Sequence, residues 1–267
     1  MVRQPAVAGQ FYPGSSQELL ATVRQCLDPE ATPTPALLAV CPHAGYIYSG
    51  ATAGKTLSRV TIPRRVVVVG PNHRGAGAAA AVMSQGQWLT PLGPVALDAE
   101  LGQRLLAGSR LLSEDARAHQ MEHSLEVQVP FLQVLQPELS LLPICLGWLD
   151  YDQCAEIGHD LATAIRGLHE PVLLLASTDM THYESAPAAR AKDSQALERV
   201  LSLDPKGLYD VVRARGISMC GVLPTTACLA AALELGAKSA ELVEYTNSGA
   251  ASGDFAQVVG YAGLIVR

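Results

Sequence analysis

The stretch Arg65-Val66-Val67-Val68-Val69-Gly70-Pro71-Asn72-His73 decides the fold. Its valine run is too short for a helix and apolar on both sides, as expected of a strand covered on both faces of a sheet. It then breaks at Gly-Pro and delivers a histidine. The same form recurs twice. Ala36–Cys41 (ALLAVC) runs into Pro42-His43-Ala44-Gly45-Tyr46, and Val172–Ala176 (VLLLA) runs into Ser177-Thr178-Asp179-Met180-Thr181-His182-Tyr183. A fourth buried run, Leu139–Leu146 (LSLLPICL), ends without a histidine.

Helical stretches separate these strands. Ser15–Leu27 opens with the capping box Ser15-Ser16-Gln17-Glu18. Asp98–Ala107, Ser124–Leu135, Asp152–Leu168, Pro187–Leu201 and Thr225–Leu235 follow, the last stopped by Gly236. Pro187 suits a first helical turn, where no backbone N–H is needed. Pro130, inside Ser124–Leu135, predicts a kink or a late start. Near the C-terminus, Glu241–Thr246 and Gln257–Val266 read as strands joined by NSGAASGD, either a hairpin or an active-site loop. Alternating buried strands and helices imply an α/β protein, a three-layer αβα sandwich with a largely parallel, mixed central sheet. No repeat or composition break divides the chain, so one domain over residues 1–267 is expected.

Composition narrows the function. The net charge is -6 and the 19 Lys and Arg are scattered, which argues against a nucleic-acid partner. Hydrophobic residues make up 49% of the chain, enough for a sizeable core. No apolar run approaches the roughly 18–20 residues that span a bilayer. The N-terminus lacks a basic start followed by an apolar stretch, so no membrane association and a cytoplasmic location are expected. The six cysteines lie far apart without a C-x-x-C pair and signal neither a zinc ribbon nor a disulfide framework.

In open α/β sheets, ligands sit beyond the carboxyl ends of the strands. His43, His73 and His182 all stand there, so they are expected to converge on one metal-centred site, imidazole being the commonest metal ligand. Asp179, three residues before His182, is either part of that site or a helix cap. Cys220, in Ile217-Ser218-Met219-Cys220-Gly221, precedes a helix start near Pro224. It is a soft ligand, a nucleophile, or a buried small hydrophobe. Either His123 of Glu122-His123-Ser124 looks into the same cleft, or its neighbours merely cap a helix. Tyr46 and Tyr48 line the pocket or pack. His119, His159 and His169 lack such a setting and read as structural or solvent-facing.

Long segments resemble the Memo family, whose bacterial and archaeal members are also called AmmeMemoRadiSam system protein B. They are RQPAVAGQFYP at Arg3–Pro13, PHAGYIYSG at Pro42–Gly50, GPNH at Gly70–His73 and EHSLEVQVPFL at Glu122–Leu132. STDMTHY at Ser177–Tyr183, MCG at Met219–Gly221 and VVGYA at Val258–Ala262 complete the set. The resemblance implies the fold of class III extradiol dioxygenases, non-haem iron enzymes. It also implies His43, His73 and Cys220 as metal ligands and His182 as acid/base with Asp179 beside it, His123 being a third catalytic candidate. Fe(II) is the implied ion, with copper or zinc compatible with a thiolate ligand. The implied activity is a metal-dependent oxidoreductase acting on a small-molecule or peptide substrate. A functional association with AMMECR-type and radical-SAM proteins goes with the family. Two rivals stand beside it: a binding or scaffold protein that uses the pocket for an anionic or peptide ligand, and a hydrolase with a Cys220–His182 dyad.

Overall fold

Alternate valines of Arg65–Pro71 face opposite ways, and each direction leads to a separate apolar core. In the computed structural model, which describes residues 1–267, Val66 and Val68 pack with Leu141, Leu173 and Leu175 on one face of the sheet. Val67 and Val69 pack with Leu142, Ile144 and Leu174 on the other. Strand alternation therefore builds two cores from one run of residues.

In chain order the strands are β1 (Val2–Arg3), β2 (Leu38–Cys41), β3 (Arg65–Pro71), β4 (Ala80–Val82), β5 (Gln87–Thr90) and β6 (Gly93–Leu97). They continue as β7 (Ser113–Glu114), β8 (Ser140–Leu146), β9 (Val172–Ser177), β10 (His182–Glu184), β11 (Ala240–Asn247) and β12 (Val258–Val266). The helices begin with α1 (Ser16–Cys26), α2 (Tyr46–Leu57), α3 (Ala99–Gly108), α4 (His123–Glu126) and α5 (Val129–Leu135). They end with α6 (Tyr151–Arg166), α7 (Ala186–Leu201), α8 (Pro205–Ala214), α9 (Val222–Glu234) and α10 (Gly249–Ser252). The main sheet runs β1-β5-β6-β8-β3-β9-β2-β12-β10. Its centre, β8-β3-β9-β2, is parallel, and β12 closes it antiparallel. Helices α3, α6, α7, α8 and α9 cover one face. Helices α1, α2, α4 and α5 cover the other, giving the three-layer sandwich. No helix is long and apolar enough to cross a membrane.

The three histidine-bearing strands, β3, β9 and β2, are immediate neighbours, so their carboxyl ends lie side by side. Three departures from the sequence pattern have local causes. The stretch Ser124–Leu135 breaks into α4 and α5, with Pro130 in the first turn of the second. Helix α9 starts at Val222, earlier than Pro224, because the proline is accommodated in its first turn. Helix α2 is masked in sequence by Gly50 and Gly54. A β-carbon on Gly54 would lie 2.2 Å from the Cys26 carbonyl oxygen, so the glycine permits close packing of α1 on α2. The connection NSGAASGD holds the short helix α10, between β11 and β12, which pair as an antiparallel hairpin.

One buried ion pair ties the N-terminus to the site. Arg3 Nη1 lies 2.7 Å from Glu126 Oε2, both side chains being fully covered. Arg3 also donates to the carbonyls of His119 (2.6 Å) and Glu122 (2.9 Å), and its guanidinium lies over Trp88. Glu126 accepts further bonds from the Ala6 and Val7 N–H groups and the Tyr12 hydroxyl. Removing one partner of a buried, hydrogen-bonded pair costs about 3–5 kcal/mol. Glu126→Ala is therefore expected to lose that much stability in urea unfolding. A loss below about 1 kcal/mol, the worth of an exposed pair, would refute this anchoring role.

Candidate metal centre

Strand β2 ends one residue before Pro42, and the turn that follows buries His43. The Ser177 hydroxyl, at the end of β9, donates to the Ser124 carbonyl (2.6 Å) and receives a bond from Gln128 Nε2 (3.0 Å). With its own proton committed, Ser177 Oγ can only accept from His43 Nδ1, 2.9 Å away. The proton of His43 therefore sits on Nδ1, and Nε2 keeps its lone pair. His73, beyond β3, is oriented by a stronger acceptor. Its Nδ1 lies 2.9 Å from Glu122 Oε1 and its backbone N–H donates to Glu122 Oε2 at 2.7 Å. Its Nε2 is left free in the same way.

The two rings meet edge to face, with centroids 5.3 Å apart and planes at 79°. His123, the first residue of α4, joins them, and the potential ligand atoms of His43, His73 and His123 all lie within 4.8 Å of one another. Its ring stacks on His73 at 4.8 Å and 21° and meets Phe11 on another side. Cys220 stands at the edge of this trio, its Sγ 3.2 Å from His43 Nε2 and receiving the Asp179 N–H at 3.2 Å. Gly221 makes that approach possible, since a β-carbon there would lie 2.4 Å from the Ser177 carbonyl oxygen. Asp179 accepts the His43 N–H at 2.7 Å, and its second oxygen is 4.0 Å from His43 Nε2. His182 lies at the rim, its ring Nδ1 3.0 Å from the Ser218 carbonyl. It sits beside a register shift between His182 and Glu184, where Tyr183 has a left-handed φ of 60°. Irregularities of this kind re-aim side chains at the ends of strands.

Burial governs the protonation states. It drives His43 well below the ordinary histidine value, and His73, His123 and His182 nearby add to the effect. Burial also lowers His123 to about 4, with Glu122 opposing. Both rings are thus neutral at pH 7, the form that ligates. Asp179 is pushed up to about 7 by burial, against the N–H bonds of His43 and Ala44. The Cys220 thiol is raised by burial and by Asp179. Glu122 is the exception: burial would raise it, but His73 and the Ser124 N–H outweigh this and hold it at about 2.

The residues singled out in sequence fall in one region, with different standings. His43, His73 and His123 form the tight cluster, Cys220 and Asp179 flank His43, and His182 is peripheral. His119 is buried under the N-terminal segment, its Nδ1 2.9 Å from the Asp115 carbonyl. His159 is paired with Glu234 at the surface. Sequence reasoning missed the orienting roles of Ser177, Gln128 and Glu122. The acid beside His123 in EHS was the one available signal, and it reads equally as the helix cap that it also provides to Ser124.

Residues 3–265 match the family model described as Memo-like protein. A MEMO1 family protein of Methanopyrus kandleri is 41% identical, covering 100% of this chain and 99% of that protein. Similar proteins of Methanosarcina barkeri and Archaeoglobus fulgidus are 43% and 42% identical, each over 100% of both chains. Among solved structures, an uncharacterized protein of Escherichia coli K12 shares the fold with a TM-score of 0.58 and 14% identity, covering 86% of this chain and 99% of that one.

The histidines also set an acid limit. His119, lowered to about 4 chiefly by burial, behaves as His123 does. In both cases the unfolded chain takes up the proton first, so their contribution is intact above pH 6.5 and is lost as pH falls toward 4. At about 1.4 kcal/mol per unit, each is worth about 3 kcal/mol. Asp179 acts with opposite sign, because its raised value costs stability from pH 4 up to 7 and that cost is relieved on acidification. Metal-free protein is expected to lose stability between pH 6.5 and 4, more steeply in Asp179→Asn. Urea unfolding across that window checks this, and a flat profile in both proteins would refute it.

Proposed function

The chain belongs to the Memo-like family, and on that premise we propose that it is a metal-dependent oxidoreductase whose ion is held by His43, His73 and Cys220. The observation that carries the reading is the locked tautomer of both histidines. Ser177 and Glu122 accept the two Nδ1 protons and leave two Nε2 lone pairs on rings set at 79°. Rings at that angle can aim in-plane lone pairs at one point. His123 competes for the third position, its ring 4.8 Å from His73 at 21° and 5.5 Å from His43 at 85°. Cys220, with Sγ 3.2 Å from His43 Nε2, is the third donor we assign, because a thiol ionises on metal binding.

The donor set fits a borderline or soft first-row ion: two imidazoles and a thiol that ionises on metal binding. Fe(II) is the ion we assign, with copper next and zinc as the non-redox occupant of the same ligands. Such an ion supplies electron transfer and a Lewis-acidic position for an oxygen-bearing substrate. The protein's own groups handle the protons. Asp179 steadies the His43 turn through its backbone N–H and exchanges a proton near neutral pH. His182, with Nδ1 directed at the Ser218 carbonyl, offers Nε2 to substrate at the rim. His123, neutral at pH 7, packs between Phe11 and the His73 ring and walls the site there.

Metal analysis of protein purified without added metal tests the assignment. His73→Ala and Cys220→Ser are expected to lose the metal that the unaltered chain carries, whereas His123→Ala keeps it. Glu122→Gln, which weakens the acceptor behind His73, is expected to lower metal affinity about 10–100-fold. Retention in Cys220→Ser with loss in His123→Ala would move the third ligand to His123. Full retention in both His73→Ala and Cys220→Ser would sink the metal reading. Zinc alone after growth in iron- and copper-replete medium would overturn the redox chemistry.

A further inference from the structure

The segment Ile217–Gly221 has two sides. Ser218 and Cys220 turn to the metal pocket, where they meet His182 and His43. Ile217 and Met219 are buried in the apolar core on the other side. There they floor a groove of about 560 Å³, together with Leu149, Leu223 and the indole of Trp148. Cys220 is also among the residues lining the groove, so the groove adjoins the backbone turn that carries the thiol toward His43. Groove and metal pocket both open at the carboxyl edge of the sheet, because Trp148 follows β8 as His73 follows β3. The volume lies within the roughly 300–1,000 Å³ typical of small-molecule sites.

Three features say what the groove receives. Its lining is mostly hydrophobic, eight of ten residues. Trp148 is 91% exposed, a large apolar surface with nothing against it. Arg213 is the single charged residue of the lining. Its guanidinium lies over Tyr209 and reaches the Leu149 carbonyl at 3.4 Å, and no carboxylate pairs with it. An unpaired cation at the wall of an apolar groove suits one anion on an otherwise apolar body.

Resting on the metal reading of the adjoining pocket, we propose that the substrate is a small organic acid with an apolar body. The body lies between Trp148 and Met219, the acid group is held by Arg213, and the far end reaches the metal pocket past Cys220. This fixes the substrate class and makes Arg213 a specificity-determining residue. It also gives the exposed tryptophan a purpose: a ligand in the groove covers the indole that solvent otherwise surrounds.

Tryptophan emission of the full chain, titrated with phenylbutyrate and with its uncharged amide, tests this. Trp88 is fully buried, so a blue shift on titration reports Trp148. The acid is expected to give a saturable blue shift and to bind more tightly than the amide. Arg213→Gln is expected to weaken the acid roughly tenfold or more, as loss of a charge-assisted bond does, and to leave the amide unchanged. The side chain is exposed, so this variant should fold normally, which its circular dichroism checks. No saturable shift, or equal weakening of acid and amide in Arg213→Gln, would overturn the groove. Metal content is measured on the same preparations. Stoichiometric metal without a shift overturns the groove alone, and a shift in metal-free wild-type protein supports the groove while counting against the metal reading.

Discussion

A neutral imidazole has one proton and one lone pair, so it offers a nitrogen to a cation only when the other nitrogen has given its proton to a fixed acceptor. The candidate centre depends on meeting that condition twice. For His43 the acceptor is a hydroxyl whose own proton is already committed to the Ser124 carbonyl. For His73 it is a buried carboxylate that stays ionised because the histidine and the Ser124 N–H bind it. Both arrangements run through Ser124, whose carbonyl and N–H serve the two sides. One short helix thus sets both tautomers.

That helix is too short to hold itself. Four residues, His123–Glu126, make a single turn, and helix nucleation is unfavourable at this length. Its position comes from outside. Glu126 at its end is bound by Arg3, two N-terminal amides and Tyr12, while Arg3 reaches back to the carbonyls of His119 and Glu122. The N-terminal segment, far from α4 in sequence, therefore clamps the turn that orients His43 and His73. Phe11 of the same segment closes against His123. This accounts for a buried ion pair near a site it does not touch: its geometry is transmitted to Glu122 through the backbone of one turn.

The buried parallel strands and the region where His43 and His73 meet were readable because they follow from a simple physical rule. A β-branched run covered on both faces must be a central parallel strand, and β3, β9 and β2 each end in a loop bearing a histidine. That placed His43 and His73 together without any knowledge of their partners. The rule fails for His182, which follows β9 by a longer turn, so adjacency of strands no longer fixes adjacency of side chains. It fails also for His123, which is carried by a helix start that sequence reads as a cap. The resemblance carried Cys220 further than its bare sequence could, since a lone cysteine before a helix is usually a small hydrophobe. Helix α2 and the orienting acceptors stayed hidden for another reason. Close packing that requires Gly54, and a serine whose proton is spoken for elsewhere, are properties of the assembled neighbours.

The electrostatics of the pocket follow a single direction. Burial drives His43 and His123 to neutrality, raises Asp179 and raises Cys220. Each group is shifted toward its uncharged form because water has been removed and nothing positive has replaced it. Glu122 alone stays charged, and it does so through hydrogen bonds to His73 and Ser124. A pocket of neutral donors around a retained carboxylate is poorly suited to a proton, which would have to sit on a desolvated imidazole among other imidazoles. It is well suited to a cation that meets several lone pairs at once and lets the thiol release its proton. The same bias sorts the surroundings of Cys220. Toward His43 the sulfur meets an imidazole nitrogen and the Asp179 N–H, while the adjacent Met219 side chain is buried in hydrocarbon, so polar and apolar surroundings meet within one residue of the chain.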